Sequence, residues 1–519
     1  MKLNYKRTIL VGFAFFLICA FWQAYDNIIP LILTNKFGMS QAWSGVVMAA
    51  DNILALFLLP LFGAISDKHN GKRGRRTPFI LVGTLIAAVT LIALSFVDGA
   101  QLRRLDHISA IDDPVALENI YEAQKDETLL SPSGERFVLG EKFTKEEFTA
   151  IRSSAEDAEG NTVTSHDYTS YVVPARQACA RQTVEEEPTT LIVFIALLLV
   201  ILLAMSMFRS PAVALMPDVT MKPLRSKANA VINLMGSAGG ILVLALGMVF
   251  ATASVRNSFM SYTGYFAVIA FIMLLALVIF LSTVHEKEWA AQMHADSIKY
   301  GVEEASEEAD SAASRRLSRE EKRSMTFILL SIVLWFFGYN AVISKYSVYA
   351  SNILHKDYNL TLIIAQAAAI ISYLPVGFIS SKVGRKKTIM AGVIMLTVAF
   401  GSASFLRADS PAMVMNLLFA LAGIAWATIN VNSFPMVVEL CSGGDTGKYT
   451  GFYYTASMAA QVVTPMASGV LMDHLGMTAL FPYAPVFVAL AFVTMHFVRH
   501  GDSRPETKKG LEALDHGED

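Results

Sequence analysis

Charge is what this chain has least of. Only 17% of its 519 residues are Asp, Glu, Lys or Arg, against 54% hydrophobic ones, and the mean hydropathy is +0.46. A soluble chain of this length carries more charge, so a water-soluble globular protein is excluded. Cysteine is nearly absent. Cys19 and Cys441 fall in apolar runs and Cys179 in a polar segment, so no disulfide framework is expected. HExxH, paired CxxC, phosphate-loop and GxSxG motifs on a soluble scaffold are also lacking. The expectation is therefore no enzyme, no metal and no cofactor. A net charge of -2 says little, because the charge is sorted by position.

What the chain has is long apolar runs of the length that spans a bilayer core of about 30 Å. Hydropathy places twelve spans, at 8–33, 43–65, 78–97, 190–216, 228–252, 261–283, 325–352, 361–381, 388–406, 411–437, 449–472 and 480–498. The first run has no small-residue cleavage site and is read as a retained helix, not a signal peptide. Lys2, Lys6 and Arg7, the loop 66–77, Lys222 to Lys227 and Lys382 to Lys387 all fall on one side of this arrangement. The positive-inside rule makes that side, and both termini, cytoplasmic. The basic clusters are thus accounted for by topology, with no nucleic-acid partner.

Two polar segments interrupt the spans. Residues 98–189 form an acidic, aromatic-containing extracellular insertion, either a small folded cap or a loose loop. Residues 284–324 read as a partly helical cytoplasmic linker. The expected organisation is an N-terminal half over 1–97 and 190–283, a C-terminal half over 325–498 and a cytoplasmic tail over 499–519.

The halves lie over each other. Trp22 to Asn27 matches Phe336 to Ala341, and Gly63 matches Gly377, both 314 positions on. Asp218 precedes Lys227 by nine residues, as Glu439 precedes Lys448, at an offset of 221. The offset drops by 93, close to the length of the insertion. Such parallel six-span repeats place a substrate site between two pseudo-symmetric six-helix bundles.

The loop Gly63, Asp67, Gly74-Arg75-Arg76 fits the pattern between spans two and three of the major facilitator superfamily, and the chain resembles that family. The run from Asp51 and Asn52 through Pro60 to Pro78 and Phe79, with Arg209 to Asp218 in span four, resembles the sucrose–proton symporters and the allied glycoside–pentoside–hexuronide cation symporters. The resemblance leaves out the insertion and the linker. It implies transport of a sugar with a cation. Ser381 departs from the pattern, standing where the second loop would carry an acid, as does Lys345 inside span seven.

Charges inside a bilayer cost several kcal/mol and mark pathways or pairs. Asp51, deep in span two, is the expected coupling residue, because desolvation favours a protonated carboxyl. Permanent pairing and sodium ligation are its alternatives. Asp26 shares a helical face with Trp22, Gln23 and Asn27 and is expected to bind substrate or to share in coupling; the alternative is an outer-interface position. Arg209 can bind sugar oxygens, pair with either Asp, or sit near a gate. Polar stripes add Asn233 in span five, Tyr339 and Asn340 in span seven, Trp426 and Asn430 in span ten, and Tyr454 and Gln461 in span eleven. Helix–helix glue is their alternative. Lys345 is expected to snorkel to the interface.

Gating is assigned to Gly63, Asp67, Gly74, Arg75, Arg76 and Asp218, with Gly384, Arg385, Glu439 and Lys448 as the second half's equivalents. Asp67 would accept from amides at a helix N-terminus, and Arg75 would pair with Asp218, holding the cytoplasmic face shut. The expected function is proton-coupled symport of a disaccharide or glycoside by alternating access, in the plasma membrane and by a monomer. The competing readings are an exporter of drug-like solutes and a non-transporting sensor.

Overall fold

The computed structural model describes residues 3–156, 162–221, 224–300, 317–438, 440 and 446–501. Twelve long helices carry the fold: α1 (Tyr5–Asn35), α2 (Gln41–Lys68), α3 (Thr77–Arg104), α4 (Thr189–Val219), α5 (Arg225–Val249), α6 (Thr263–Thr283), α7 (Arg319–Tyr349), α8 (Tyr358–Val383), α9 (Arg385–Ala403), α10 (Ala412–Val438), α11 (Thr446–Leu475) and α12 (Leu480–His496). Among the described residues ten helices are long and apolar enough to cross a bilayer. α8 adds a shorter apolar stretch over Tyr358–Tyr373, and α11, with its polar stripe, is not among the ten.

Hydropathy marks where lipid begins, whereas the helices run past it to their caps. Asn4 caps α1, Ser40 caps α2, and Ser318 with Glu321 forms a capping box on α7. α3 continues to Arg104, beyond the predicted 97, and so carries the insertion away from the bundle.

The helix pairing repeats when six is added to each label. α1 packs on α5 and α7 on α11, α3 on α4 and α9 on α10, α3 on α6 and α9 on α12, and α2 on α4 and α8 on α10. Across the halves, α2 meets α11 and α5 meets α8. The repeat reaches single atoms. Ser66 Oγ donates to Gly63 O at 2.8 Å, and Ser380 Oγ to Gly377 O at 3.0 Å. A Cβ on Gly83 would stand 2.9 Å from Ala204 O, and one on Gly392 would stand 3.1 Å from Ala425 O. Both glycines let a helix backbone approach its neighbour.

The insertion is a folded cap, not a loose loop. Helices Pro114–Gln124 and Val173–Glu186 and two antiparallel hairpins (Thr128–Leu130 with Arg136–Val138, Ser154–Glu156 with Thr162–Thr164) surround a core of Leu117, Ile120, Phe148, Tyr168 and Val172. Arg176 is buried in it, donating to the Tyr168 hydroxyl at 2.8 Å with its guanidinium over Phe259. The cap is fixed to the first half. Lys36 pairs with Asp98 at 2.6 Å, both fully buried, and Gln177 donates to Asn35 at 2.9 Å. It also reaches the second half, where Met477 N donates to Pro132 O at 2.8 Å and Thr169 meets His355 at 2.8 Å. The linker is helical over Glu286–Lys299.

Candidate functional site

Midway along the bundle, α1, α2 and α4 bring Asp26, Asp51 and Arg209 within electrostatic reach of one another. All three are part-buried. Asn52 donates to Asp51 Oδ1 at 2.8 Å. The Arg209 guanidinium lies 5.7 Å from the centre of the Trp22 ring, whose edge contacts are Phe21 and Tyr25. Trp22 therefore presents one face to a cation. Its Nε1 and the Tyr25 hydroxyl are buried without a partner among the described residues. Two carboxylates around one guanidinium can carry a single exchangeable proton as a unit.

The second half contributes aromatic rings and amides. Tyr339 stacks on Trp426 with centroids 3.5 Å apart and planes within 2°, and Phe336 meets Trp426 edge-on. The buried Asn340 Nδ2 has no partner among the described residues. Asn430 bonds the Tyr373 hydroxyl. Gln366, which no motif singled out, donates to Gln23 Oε1 at 2.6 Å, joining α8 to α1.

Other expected members are placed elsewhere. Asn27 is buried and donates to Gln23 O of its own helix at 2.7 Å, because an Asn one turn on can reach that carbonyl. Gln461 donates likewise to Ser457 O. Asn233 is exposed and donates to Asn229 Oδ1 of its own helix at 3.2 Å, and Tyr454 is exposed against Phe434 and Tyr453. The hydrogen bonds of Asn27, Gln461 and Asn233 thus stay within their own helices.

Lys345 corrects its expectation. It is fully buried, and its Nζ donates at 2.6 Å to Gln41 O in the other half, beside Asp473. It lies in the last turn of α7, close enough to the helix end to snorkel, but the Gln41 carbonyl of α2 takes its ammonium instead. Asp473 accepts from Gln41 N at 2.7 Å and Ala42 N at 2.8 Å, placing an anion on the N-terminus of α2. Asp473, Gln41 and Lys345 thus clasp the halves at the insertion end. On the far side of the bundle, Thr252 bonds Tyr358 at 2.7 Å and Asn359 at 3.3 Å, joining α5 to α8.

The basic loop differs in three ways from its expectation. Arg75 does reach Asp218, at 3.1 Å, but Arg76 is the main partner, at 2.7 Å, and also donates to Asp67 and to Ser66. Asp67 accepts from that guanidinium and not from amides. The amides of Arg75, Arg76 and Thr77, at the start of α3, are taken by Glu286 at 2.7–2.8 Å, and the Thr77 hydroxyl donates to it at 2.6 Å. Gly74 has φ +112°, and a Cβ there would lie 2.3 Å from the Glu286 carboxyl carbon. All these contacts lie within the first half, tying α2, α3, α4 and the linker helix together. Gly63 opposes Ser210 of α4. Gly384, at φ +99°, breaks α8 from α9, whose first residue Arg385 is buried. Glu439 and the Lys448 side chain lie outside the described residues, as does the Ser381 side chain. Glu286 was legible only as an acidic residue just past span six, on the basic side.

The chain belongs to the Major Facilitator Superfamily, whose profile matches residues 183–366 and 346–516. A profile described as MFS/sugar transport protein matches residues 10–100. The sucrose transport protein SUC3 of Arabidopsis thaliana is 39% identical over 67 residues, 13% of this chain and 11% of that protein. SUC4 of the same plant is 32% identical over 60 residues, 12% of each. The chain therefore spans only about a tenth of the length of these curated relatives. Among solved structures, the inward-open xylose transporter XylE from E. coli matches with TM-score 0.57 at 15% identity, covering 99% of both chains. A bacterial homologue of the iron transporter ferroportin, inward-facing, matches with TM-score 0.59 at 13% identity, covering 95% of this chain and 99% of that one. These likenesses establish the fold of a multi-pass membrane protein.

Proposed function

We propose that the protein is a proton-coupled sugar symporter of the plasma membrane, working as a monomer by alternating access with both termini cytoplasmic. The observation that carries this reading is the Asp26–Asp51–Arg209 cluster, set on three membrane-spanning helices, with buried polar groups on α1 (Trp22, Tyr25) and α7 (Asn340) that have no partner among the described residues. Intramembrane ionisable groups persist where they move a proton or meet a polar solute. The Trp22 indole, the Tyr25 hydroxyl and the Asn340 amide offer what a ring of hydroxyls needs. The sugar-transport profile over 10–100, the local identity to sucrose transport proteins and the xylose transporter among the fold neighbours support the same substrate class. Protonation of the pair releases Arg209 and lets the loaded carrier change face. The clasp of Asp473, Gln41 and Lys345 is the extracellular gate in its shut state. The Arg76–Asp218–Glu286 network braces the cytoplasmic end of the first half so that it moves as one body.

The test is proton influx into proteoliposomes on adding each of a panel of mono- and disaccharides. One sugar should drive influx, and Asp51→Asn should abolish accumulation while sparing exchange. Unchanged accumulation in the variant would refute the coupling role. Silence across the panel, with sodium and without, shifts the reading to an exporter of organic solutes or a sensor.

A further inference from the structure

A cavity of about 570 Å³ lies outside the central site, between the cap, the first turn of α2 and the outer ends of α7 and α11. That is within the range of roughly 300–1,000 Å³ typical of small-ligand pockets. Five of its side chains are carboxamides: Gln41, Gln124, Gln177, Gln182 and Asn352. Gln41 is only 6% exposed, and its Oε1 has no partner among the described residues. Leaving a buried carbonyl oxygen so is unfavourable, and a hydroxyl donor removes that cost.

Carboxamides carry both donors and acceptors without charge, the set that adjacent hydroxyls require. The lining acids Glu127, Glu185 and Asp473 outnumber the lining cation Arg181, which disfavours an anion. Arg181 is in any case turned to Gly38 O, at 3.3 Å. The walls come from both halves. Gln41 and the cap belong to the first, Asn352, Asp473 and Met477 to the second. Parting the halves at this end dismantles the cavity.

We propose that this cavity is a second, external site for a neutral polyhydroxylated solute, and that its occupancy holds the outer gate shut. A ligand that contacts both halves in only one state shifts the population toward that state. It therefore acts as a brake on uptake when external solute is abundant. The identity of the ligand rests on the sugar reading above; the cavity and its coupling to the gate do not.

The experiment uses the full chain in nanodiscs and proteoliposomes, with sucrose, maltose, trehalose and xylose as probes. Titration calorimetry should show one of them binding with an affinity that falls at least tenfold in both Gln41→Met and Gln182→Leu. Uptake by the unaltered protein should slow at high external sugar, and the slowing should vanish in both variants. If a sugar is transported yet its binding changes less than twofold in both variants, the external site is refuted and the central reading stands. Binding that depends on Gln41 without transport upholds the site and refutes the central reading. No binding of any probe overturns both.

Discussion

Glu286 offers the sharpest test of the bracing network, because its role was read from geometry alone. It is 2% exposed and takes three backbone amides and one hydroxyl at the start of α3. Hydrogen bonds to a charged group contribute about 1.5–3 kcal/mol each. They share one carboxylate and do not add, so Glu286→Ala should cost about 3–5 kcal/mol, the scale seen when a buried charged partner is removed. Glu286→Gln keeps one carbonyl acceptor and should cost roughly half as much. Gly74→Ala should act through the same group, since its Cβ would displace the carboxylate. The double variant Gly74→Ala, Glu286→Ala should then cost less than the sum of the two single changes, the excess over Glu286→Ala alone being the strain of an alanine at φ +112°. The assay is thermal unfolding of the purified protein followed by tryptophan fluorescence, with proteolysis of the loop at 66–77 as a local readout. A Glu286→Ala protein that melts with the parent and resists protease equally would refute the reasoning.

Asp473→Ala leaves the Gln41 and Ala42 amides of α2 without their acceptor and strips Lys345 of its neighbouring carboxylate, so closure at the insertion end should weaken by about 2–4 kcal/mol. The check is a cysteine placed at the buried Ser44, which should react faster with an impermeant thiol reagent; an unchanged rate rejects the clasp. Burial pushes the His355 imidazole down to about 4, and the charges of His166 and Lys356 push the same way. The cap's contact with the second half is therefore fully present above about pH 6.5 and weakens up to tenfold per unit as the pH falls towards about 4. Hydrogen-exchange protection of residues 165–172 should track this, and His355→Asn should flatten it. Gly83→Val and Gly392→Val each force a side chain onto a helix backbone and should each cost about 1–3 kcal/mol. Loss of stability in one variant only would argue that the two contacts are not equivalent.

The fold was legible because lipid imposes one strong rule. Every span must be an apolar helix, so run length yields the number and approximate limits of the helices. The repeat was legible because backbone-level features survive drift. Gly63 and Gly377 still carry the serine three residues on that bonds back to them. What was not legible depends on which turn of one helix faces which turn of another. Asn27 and Gln461 have the polarity and spacing of a cavity wall, yet each bonds a carbonyl of its own helix. A side chain that can reach its own helix carbonyl gives no sequence sign of having done so. Glu286 is separated from Gly74 by 212 positions, and neither residue alone says that a positive φ was chosen to admit a carboxylate. The cap was ambiguous because its core is small and its aromatic residues follow no single period.

The contacts of Lys345 and those of Arg76 differ in kind. The Arg76–Asp218–Glu286 network joins elements of the first half and the linker helix, so under the proposed alternating access nothing in it must break. The contacts of Lys345, Asp473 and Gln41 cross between halves, so they must break for the outer face to open. A fully buried lysine is costly unless paired, and on opening it regains water as it gives up the Gln41 carbonyl. The Gln41 carbonyl and the neighbouring Asp473 carboxylate offset part of the cost of burying it. The cap adds further contacts across the halves, Pro132 with Met477 and Thr169 with His355. They lie beyond the ends of α7 and α11, and the His355 contact ties the hold between the halves to pH.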